Sequence, residues 1–258
     1  MKGLRLRQIA LVVRDIEQVR ADLEAVFGLQ VGYTEESMPG SIGLQNRILP
    51  VGDQFIELVA PVRDDVTGAR YLERRGGDGG YMVICQTDDR AGRDARIKEL
   101  GIRLVGGRDG KVYSFIQLHP KDTGGSFLEV DWHEGADDPT PPWTHAAGDN
   151  WMPSVRTHIV DAITGVEIQA SEPEAVAARW SEILQLPVQR GGDGRPWLET
   201  KGGGCICFVA DSDGRGEGLG GIDVHAVDRE AALSAAAARG LAVSGDTVTI
   251  GGVRFKLV

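Results

Sequence analysis

The chain has 258 residues, of which 41% are hydrophobic and 26% charged, a composition typical of a folded globular protein rather than a disordered or fibrous one. Its 38 acidic and 28 basic residues give a formal net charge of −10, which argues against binding to nucleic acid or to an anionic membrane surface. No apolar run approaches the roughly 20 residues that cross a membrane, and charged residues interrupt the N-terminal segment before a signal-peptide core is complete. We therefore expect a soluble, cytoplasmic protein whose three cysteines stay reduced.

Four helical patterns follow one another along the chain, and each lies between a strand and a group of short, glycine-broken strands. The first helix begins after Asp15, an N-cap residue, and stops at Gly28, while the others start near Asp88, Glu172 and Asp228. The strands before the helices read RQIALVV, YMVICQT, GVEIQAS and GIDVHAV. The repeated unit is therefore βαβββ, and four copies of it predict an α+β fold.

A hairpin is predicted in the first copy, because Gly52 and Asp53 form a good two-residue turn between two apolar segments. In that register Ile48 lies opposite Glu57, and Asn46 falls on the same face of the hairpin. The Asn46 amide would then either orient a substrate oxygen or serve only to support the hairpin.

The four copies group into two halves with a linker between them. Helices one and three align without a gap, so the second half looks like a duplicate of the first. The segment between the halves is rich in Pro, Asp and Gly and lacks periodicity. We predict an N-terminal domain at residues 1–133, a linker at 134–155 and a C-terminal domain at 156–258.

Several of these segments resemble the vicinal oxygen chelate superfamily, which includes glyoxalase I, methylmalonyl-CoA epimerase, extradiol dioxygenases and bleomycin-resistance proteins. The matching stretches are QIALVVRD, NRILPVGDQFIELVAP, MVICQTDD and FIQLHPKDTGGSFLEVDW. The resemblance is greatest to the glyoxalase-like and epimerase-like branch. It implies that each half curls two modules into a half-open, mixed β-barrel.

The resemblance also implies a place for a divalent metal in the first half. The family's four ligand positions correspond to Gln8, Glu57, Met82 and Glu129, and glyoxalase I of the eukaryotic type is known for a Gln, Glu, His, Glu set. Met82 departs from that set, since a thioether is a soft and weak ligand beside oxygen donors. Gln8, Glu57 and Glu129 would therefore suit Mg²⁺, Mn²⁺ or Ca²⁺, with water completing the coordination. Zn²⁺ and Ni²⁺ are the other ions that the resemblance implies. The alternative is that the protein binds no metal.

The strand of Glu129 brings further polar side chains to the same face. Asp131 and His133 follow Glu129 at intervals of two residues, so all three point to one side. We expect Asp131, His133, Asn46 and Met82 to line the substrate cavity. Glu129 would serve as the catalytic base or as a ligand.

The second half keeps none of these ligands. Its corresponding positions hold Gly165, Cys207, Ile222 and Lys256, which cannot form a site for a hard metal. Extradiol dioxygenases resemble one another in keeping a His, His, Glu iron site in their C-terminal half. Because this sequence lacks those ligands, ring-cleaving dioxygenase activity is disfavoured. Cys205 and Cys207 are interpreted as small hydrophobic residues, and the second half is expected either to cover the first site or to supply a homodimer surface.

Two functions from different classes follow from the resemblance. The first is a metal-dependent lyase or isomerase acting on a small carbonyl compound by proton abstraction and enolate stabilisation. The second is a metal-free protein that binds or sequesters a small molecule. An apolar ligand would then contact a set of large hydrophobic side chains: Met82, Ile84, Trp132, Trp143 and Trp151.

Overall fold

The computed structural model describes residues 3–38, 42–135 and 150–258. The chain divides into two compact units, and each unit contains pieces of both halves of the sequence. Unit 1 comprises Met1–Gln8, Tyr81–Pro141 and Gly165–Leu219, and unit 2 comprises Ile9–Gly80, Pro142–Thr164 and Gly220–Val258. None of the helices in the described residues is long and apolar enough to cross a membrane.

The first half of the chain forms one curled, mixed sheet of eight strands. Its first module contains β1 (Leu4–Val12), α1 (Ile16–Phe27), β2 (Tyr33–Glu35), β3 (Leu44–Val51) and β4 (Gln54–Pro61), and α2 (Thr67–Arg75) follows. Its second module contains β5 (Gly79–Thr87), α3 (Arg90–Glu99), β6 (Leu104–Arg108), β7 (Tyr113–Leu118), α4 (Pro120–Thr123) and β8 (Phe127–His133). The strand order is β2-β3-β4-β1-β5-β8-β7-β6.

The second half forms a sheet with the same plan, after a short 3₁₀ helix at Met152–Ser154. Its first module contains β9 (Val160–Ala170), α5 (Pro173–Leu184), β10 (Val188–Arg190), β11 (Pro196–Glu199) and β12 (Cys205–Ala210). Its second module contains β13 (Gly218–Ala226), α6 (Arg229–Ala238), β14 (Val243–Ser244), β15 (Thr247–Ile250) and β16 (Val253–Leu257). The order β10-β11-β12-β9-β13-β16-β15-β14 repeats that of the first sheet. The prediction of an α+β fold with four βαβββ modules is confirmed.

Helix boundaries follow the local signals in the sequence. Asp15 accepts a hydrogen bond from the Gln18 backbone N–H at 2.9 Å, and Gly28 ends the helix with φ = +67°. Asp89 and Asp228 cap α3 and α6 in the same way. The sequence did not predict α2, because its N-cap position, Val66, has no side chain that caps a helix.

Each unit has its own helix pair and aromatic core. In unit 2, α1 packs on α6, and the Phe27 and Phe255 rings lie 5.2 Å apart. In unit 1, α3 packs on α5, where the fully buried Trp180 meets Phe208 edge-on.

The domain boundaries at residues 133 and 156 remain a prediction, since residues 136–149 lie outside the described part of the chain.

Candidate functional site

The β3–β4 hairpin of unit 2 holds Glu57 in a fixed position. The predicted two-residue turn is present, because Val51 pairs with Gln54 and Ile48 pairs with Glu57. The Asn46 side-chain amide donates a hydrogen bond to Glu57 Oε1 at 2.8 Å. Its oxygen, Asn46 Oδ1, accepts one from the Glu35 backbone N–H at 3.0 Å. Asn46 therefore connects an edge strand to a buried carboxylate.

Aromatic side chains cover the same face of this hairpin. Trp151 packs against Ile48 and Phe55, and the Phe55 and Trp151 rings meet edge-on at 4.9 Å. Phe55 and Glu57 are two residues apart on β4, so they share one face of the strand. Of the tryptophans considered for an apolar ligand, Trp151 thus lies on the face that carries Glu57, and Trp143 lies outside the described residues.

In unit 1, strands β5, β8 and β7 bring a second set of polar side chains to one face. Ile84 pairs with Glu129, which in turn pairs with Gln117 on the neighbouring strand. Met82 is two residues before Ile84, and its sulfur accepts a hydrogen bond from Gln117 Nε2 at 3.4 Å. Met82 and Glu129 are both 8% exposed, so this face is nearly closed to solvent.

His133 is held in one tautomer by two hydrogen bonds. Gln86 Nε2 lies 2.6 Å from His133 Nε2, and the Glu134 carbonyl oxygen lies 2.9 Å from His133 Nδ1. An amide N–H donated to Nε2 leaves the ring proton on Nδ1, where it is donated to the carbonyl. Burial lowers the pKa of His133, and the positive charges of Arg7 and Arg5 lower it further, against the opposite effect of the Glu134 bond.

Asp131 is buried beside His133 and has its own donor. The Tyr113 hydroxyl donates a hydrogen bond to Asp131 Oδ2 at 3.0 Å. Tyr113 pairs directly with His133 across β7 and β8. Two hydrogen-bonded pairs, Tyr113 with Asp131 and Gln86 with His133, thus lie at the end of the face that carries Glu129.

The sequence did not single out Gln86, Tyr113 or Gln117. A signal for them was present, because Gln86 follows Met82 at a spacing of four on β5 and therefore shares its face. Tyr113 and Gln117 are likewise four apart on β7. Recognising them required the pairing of β7 with β8, which the sequence alone did not supply.

The interpretation of Trp132 as a contact for an apolar ligand placed it on the same face as Glu129. In the structure, Trp132 does not lie on that face. It alternates with Asp131 and His133, so its side chain points to the other side of β8. There it lines a separate cavity of about 320 Å³ with Ser114, Arg90 and other residues of α3 and β7.

The predicted ligand position on β13 was wrong by one residue. Ile222 pairs with Phe255, whereas Lys256 pairs with Asp223, so Ile222 and Lys256 point to opposite faces. The capping residues Asp89 and Asp228 align Met82 with Gly221 rather than with Ile222. Because side chains alternate along a strand, a shift of one residue moves every side chain to the other face.

All three predicted metal ligands are buried side chains. In unit 1, Gln8 is 3% exposed and Glu129 is 8% exposed; in unit 2, Glu57 is 8% exposed. Within residues 3–38, 42–135 and 150–258, no three His, Cys, Asp or Glu side chains come together as a metal centre.

Comparison with known proteins relates about half of the chain to epimerases. It is 27% identical over 131 residues to the ethylmalonyl-CoA/methylmalonyl-CoA epimerase of Cereibacter sphaeroides, covering 49% of this chain and 96% of that protein. It is 30% identical over 133 residues to the mitochondrial methylmalonyl-CoA epimerase of Bos taurus, covering 49% of this chain and 73% of that protein.

The fold of the whole chain has a counterpart among solved structures. A triple mutant of 4-hydroxymandelate synthase from Streptomyces coelicolor matches 94% of this chain and 76% of its own, with a TM-score of 0.69 and 14% identity. At that identity the similarity concerns the fold alone. The model of the glyoxalase-like domain family matches residues 8–184. The chain therefore belongs to the glyoxalase-like domain family of the vicinal oxygen chelate superfamily, and it carries two tandem domains of that kind.

Proposed function

We propose that the protein is an epimerase-like enzyme that removes the proton next to the carbonyl of a small carbonyl compound. The observation that carries this proposal is the similarity of about half of the chain to two epimerases that act on methylmalonyl-CoA by name. The match covers 96% of one of these relatives and 73% of the other. Their names indicate a coenzyme A thioester as the class of substrate to test first. A thioester carbonyl acidifies the adjacent C–H bond, so a positioned carboxylate can act as the base.

In this proposal Gln8, Glu57 and Glu129 are the residues that would hold a divalent cation. Their amide and carboxylate oxygens suit a hard ion such as Mg²⁺, Mn²⁺ or Ca²⁺, and Zn²⁺ or Ni²⁺ would find no nitrogen ligand among them. Met82 offers only a thioether sulfur, which is a soft ligand and poorly suited to a hard ion. That sulfur accepts a hydrogen bond from Gln117. A bound cation would supply polarisation of the substrate carbonyl and stabilise the enolate charge.

The residues themselves account for the proton transfer. Glu129 is the candidate base, because its carboxylate is buried on a strand face shared with Met82 and Ile84. Asn46 holds the Glu57 carboxylate in one orientation through its 2.8 Å hydrogen bond. Asp131 and His133 would line the substrate cavity, where the neutral His133 ring adds no charge of its own. Nearly complete burial of this face keeps bulk water away from the carbanion.

The test is exchange of the substrate's α-proton with deuterium, followed by NMR on methylmalonyl-CoA with the full chain and added Mn²⁺ or Mg²⁺. The variant Glu129→Gln should lose exchange, and Glu57→Gln should weaken both exchange and cation affinity. Glu134→Gln is the matched control, since Glu134 is an exposed carboxylate next to the same strand. Exchange that is unchanged in the Glu57→Gln and Glu129→Gln double variant would refute the assignment.

One observation favours the second candidate, a metal-free binding protein. Met82 lies buried where the family resemblance expects a histidine, and Trp151, Phe55 and Ile48 provide apolar surface beside Glu57. Elemental analysis of protein purified without chelator separates the two candidates, because the enzyme should carry a stoichiometric metal. The variant Met82→His should raise the affinity for Zn²⁺, Ni²⁺ or Co²⁺ in calorimetry, since imidazole binds these ions better than a thioether. Equal affinities would show that residue 82 is not a ligand position.

A further inference from the structure

The cavity of about 320 Å³ lies between α3 and the face of β7 and β8 that is turned away from Glu129. Ser114 pairs with Trp132 and Ile116 pairs with Val130 across these two strands, so the four side chains share one face and form the floor of the cavity. The Trp132 ring is half-buried. All the residues that line the cavity belong to unit 1, and its floor is mostly apolar.

The helix side of the cavity is rich in arginine. Arg90, Arg93 and Asp94 line it together, because residues three and four apart on α3 lie on one side of the helix. Arg90 has acidic partners, since its Nε lies 3.6 Å from Asp94 Oδ2 and its Nη2 forms an ion pair with Asp109. With Arg108, which also lines the cavity, three arginines stand against two aspartates and leave a surplus of one positive charge.

Arg93 is the buried member of this group. It is only 7% exposed, and no carboxylate in the described part of the chain forms an ion pair with it. Its Nη1 donates hydrogen bonds to two neutral acceptors, the Leu184 carbonyl at 2.5 Å and Gln185 Oε1 at 3.4 Å. Its Nε has no acceptor among the described residues. Burial lowers the pKa of Arg93, yet a guanidinium keeps its proton at neutral pH.

The free donors of Arg93 fit one kind of anion. Nε and Nη2 lie on one edge of the planar guanidinium, and that edge matches the two oxygens of a carboxylate. A carboxylate also balances the surplus of one positive charge, whereas a phosphate monoester would bring nearly two negative charges close to Asp94 and Asp109. A flat ring suits the apolar floor beside Trp132. The volume is at the small end of the range for ligand cavities, so one or two rings fill it.

We propose that this cavity binds a small aromatic carboxylate. Arg93 holds the carboxylate through its Nε–Nη2 edge, and the ring lies against Trp132 and Ile116. The site is on the opposite face of the strands from Glu129, so it does not depend on the proposed epimerase-like activity.

The experiment is a calorimetric titration of the full chain with 2-naphthoate and with its neutral counterpart, 2-naphthamide. 2-Naphthoate should bind at one equivalent and at least about tenfold more tightly than the amide, because only the carboxylate accepts charge-assisted hydrogen bonds on both oxygens. Equal affinities for the two compounds, or no binding of 2-naphthoate at millimolar concentration, would overturn the proposal.

Variants locate the binding energy. Arg93→Lys keeps the charge but loses the bidentate edge, so it should weaken 2-naphthoate binding at least about tenfold, and Arg93→Met should weaken it further. Lys111→Gln is the matched control, since Lys111 is an exposed cation between β6 and β7 that does not line the cavity. That control and the Glu57→Gln, Glu129→Gln double variant should bind 2-naphthoate as the wild type does. Undiminished binding in both Arg93 variants would refute the site.

A measurement on the wild type covers an Arg93 variant that does not fold. In ¹⁵N-labelled protein, 2-naphthoate should shift the indole N–H resonance of Trp132, which is assigned by its loss in Trp132→Phe. The resonance of Trp180, a fully buried residue of α5, should not move. Shifts confined to other tryptophans would place the probe elsewhere and contradict the proposal.

Discussion

Removing the Asn46 side chain should destabilise the protein and disturb the Glu57 carboxylate. Asn46 makes two hydrogen bonds, one to Glu57 Oε1 at 2.8 Å and one from the Glu35 backbone N–H at 3.0 Å. Asn46 is 4% exposed and Glu57 is 8% exposed, so water cannot readily replace the lost partner. The Asn46→Ala variant therefore loses both bonds in a nearly dry environment.

The expected magnitude follows from the kinds of bond involved. A hydrogen bond to a charged group contributes about 1.5–3 kcal/mol and one between neutral groups about 0.5–1.5 kcal/mol. Asn46→Ala should thus lower the free energy of unfolding by about 2–4 kcal/mol. Asn46→Asp should cost more near neutral pH, because it places a second carboxylate beside Glu57, and acidification should relieve part of that cost.

Urea unfolding followed by circular dichroism measures these changes, with the Gln45→Ala variant as the matched control. Gln45 is the preceding residue of β3 and points to the other face of the hairpin. Its truncation should change the free energy of unfolding by less than about 1 kcal/mol. An Asn46→Ala variant as stable as Gln45→Ala would refute the view that Asn46 supports the site.

Three further predictions concern stability. The lowered pKa of His133 means that the unfolded chain binds its proton more readily, so stability should fall as the pH drops below about 6.5. Gly52→Ala should cost more than about 2 kcal/mol, because φ is +62° and a Cβ would lie 2.3 Å from the Asp161 carbonyl oxygen. Gly76→Ala should cost less, since φ is +71° but no atom lies within 4 Å. Trp180→Ala should cost about 3–5 kcal/mol, since the ring is fully buried.

Each of these predictions has its own check. Melting temperatures at pH 5.5 and 7.5 should differ less in His133→Gln than in wild type, and an equal difference would argue against the His133 assignment. Equal urea midpoints for the two glycine variants would show that the Asp161 contact is not decisive. Trp197→Ala removes a half-buried ring and serves as control for Trp180→Ala, so a larger loss in Trp197→Ala would contradict the account of the core.

The repeated fold was predictable because its signals are local. Asp15 and Gly28 mark the ends of the first helix through hydrogen bonding and backbone conformation that depend only on neighbouring residues. The Gly52–Asp53 turn set the hairpin register, and with it the face shared by Asn46 and Glu57. These features need no knowledge of distant parts of the chain.

Only the tertiary structure decided which side chains meet across strands that are distant in sequence. Gln86 reaches His133 over a separation of 47 residues, and the pairing of Glu167 with Cys207 depends on two strands that adjoin only after folding. Ile222 was assigned to the wrong face, although the capping residues Asp89 and Asp228 align Met82 with Gly221; the pairing of β13 with β16 places Ile222 and Lys256 on opposite faces. Periodicity along one strand fixes which residues share a face, whereas hydrogen bonding between strands fixes which faces come together.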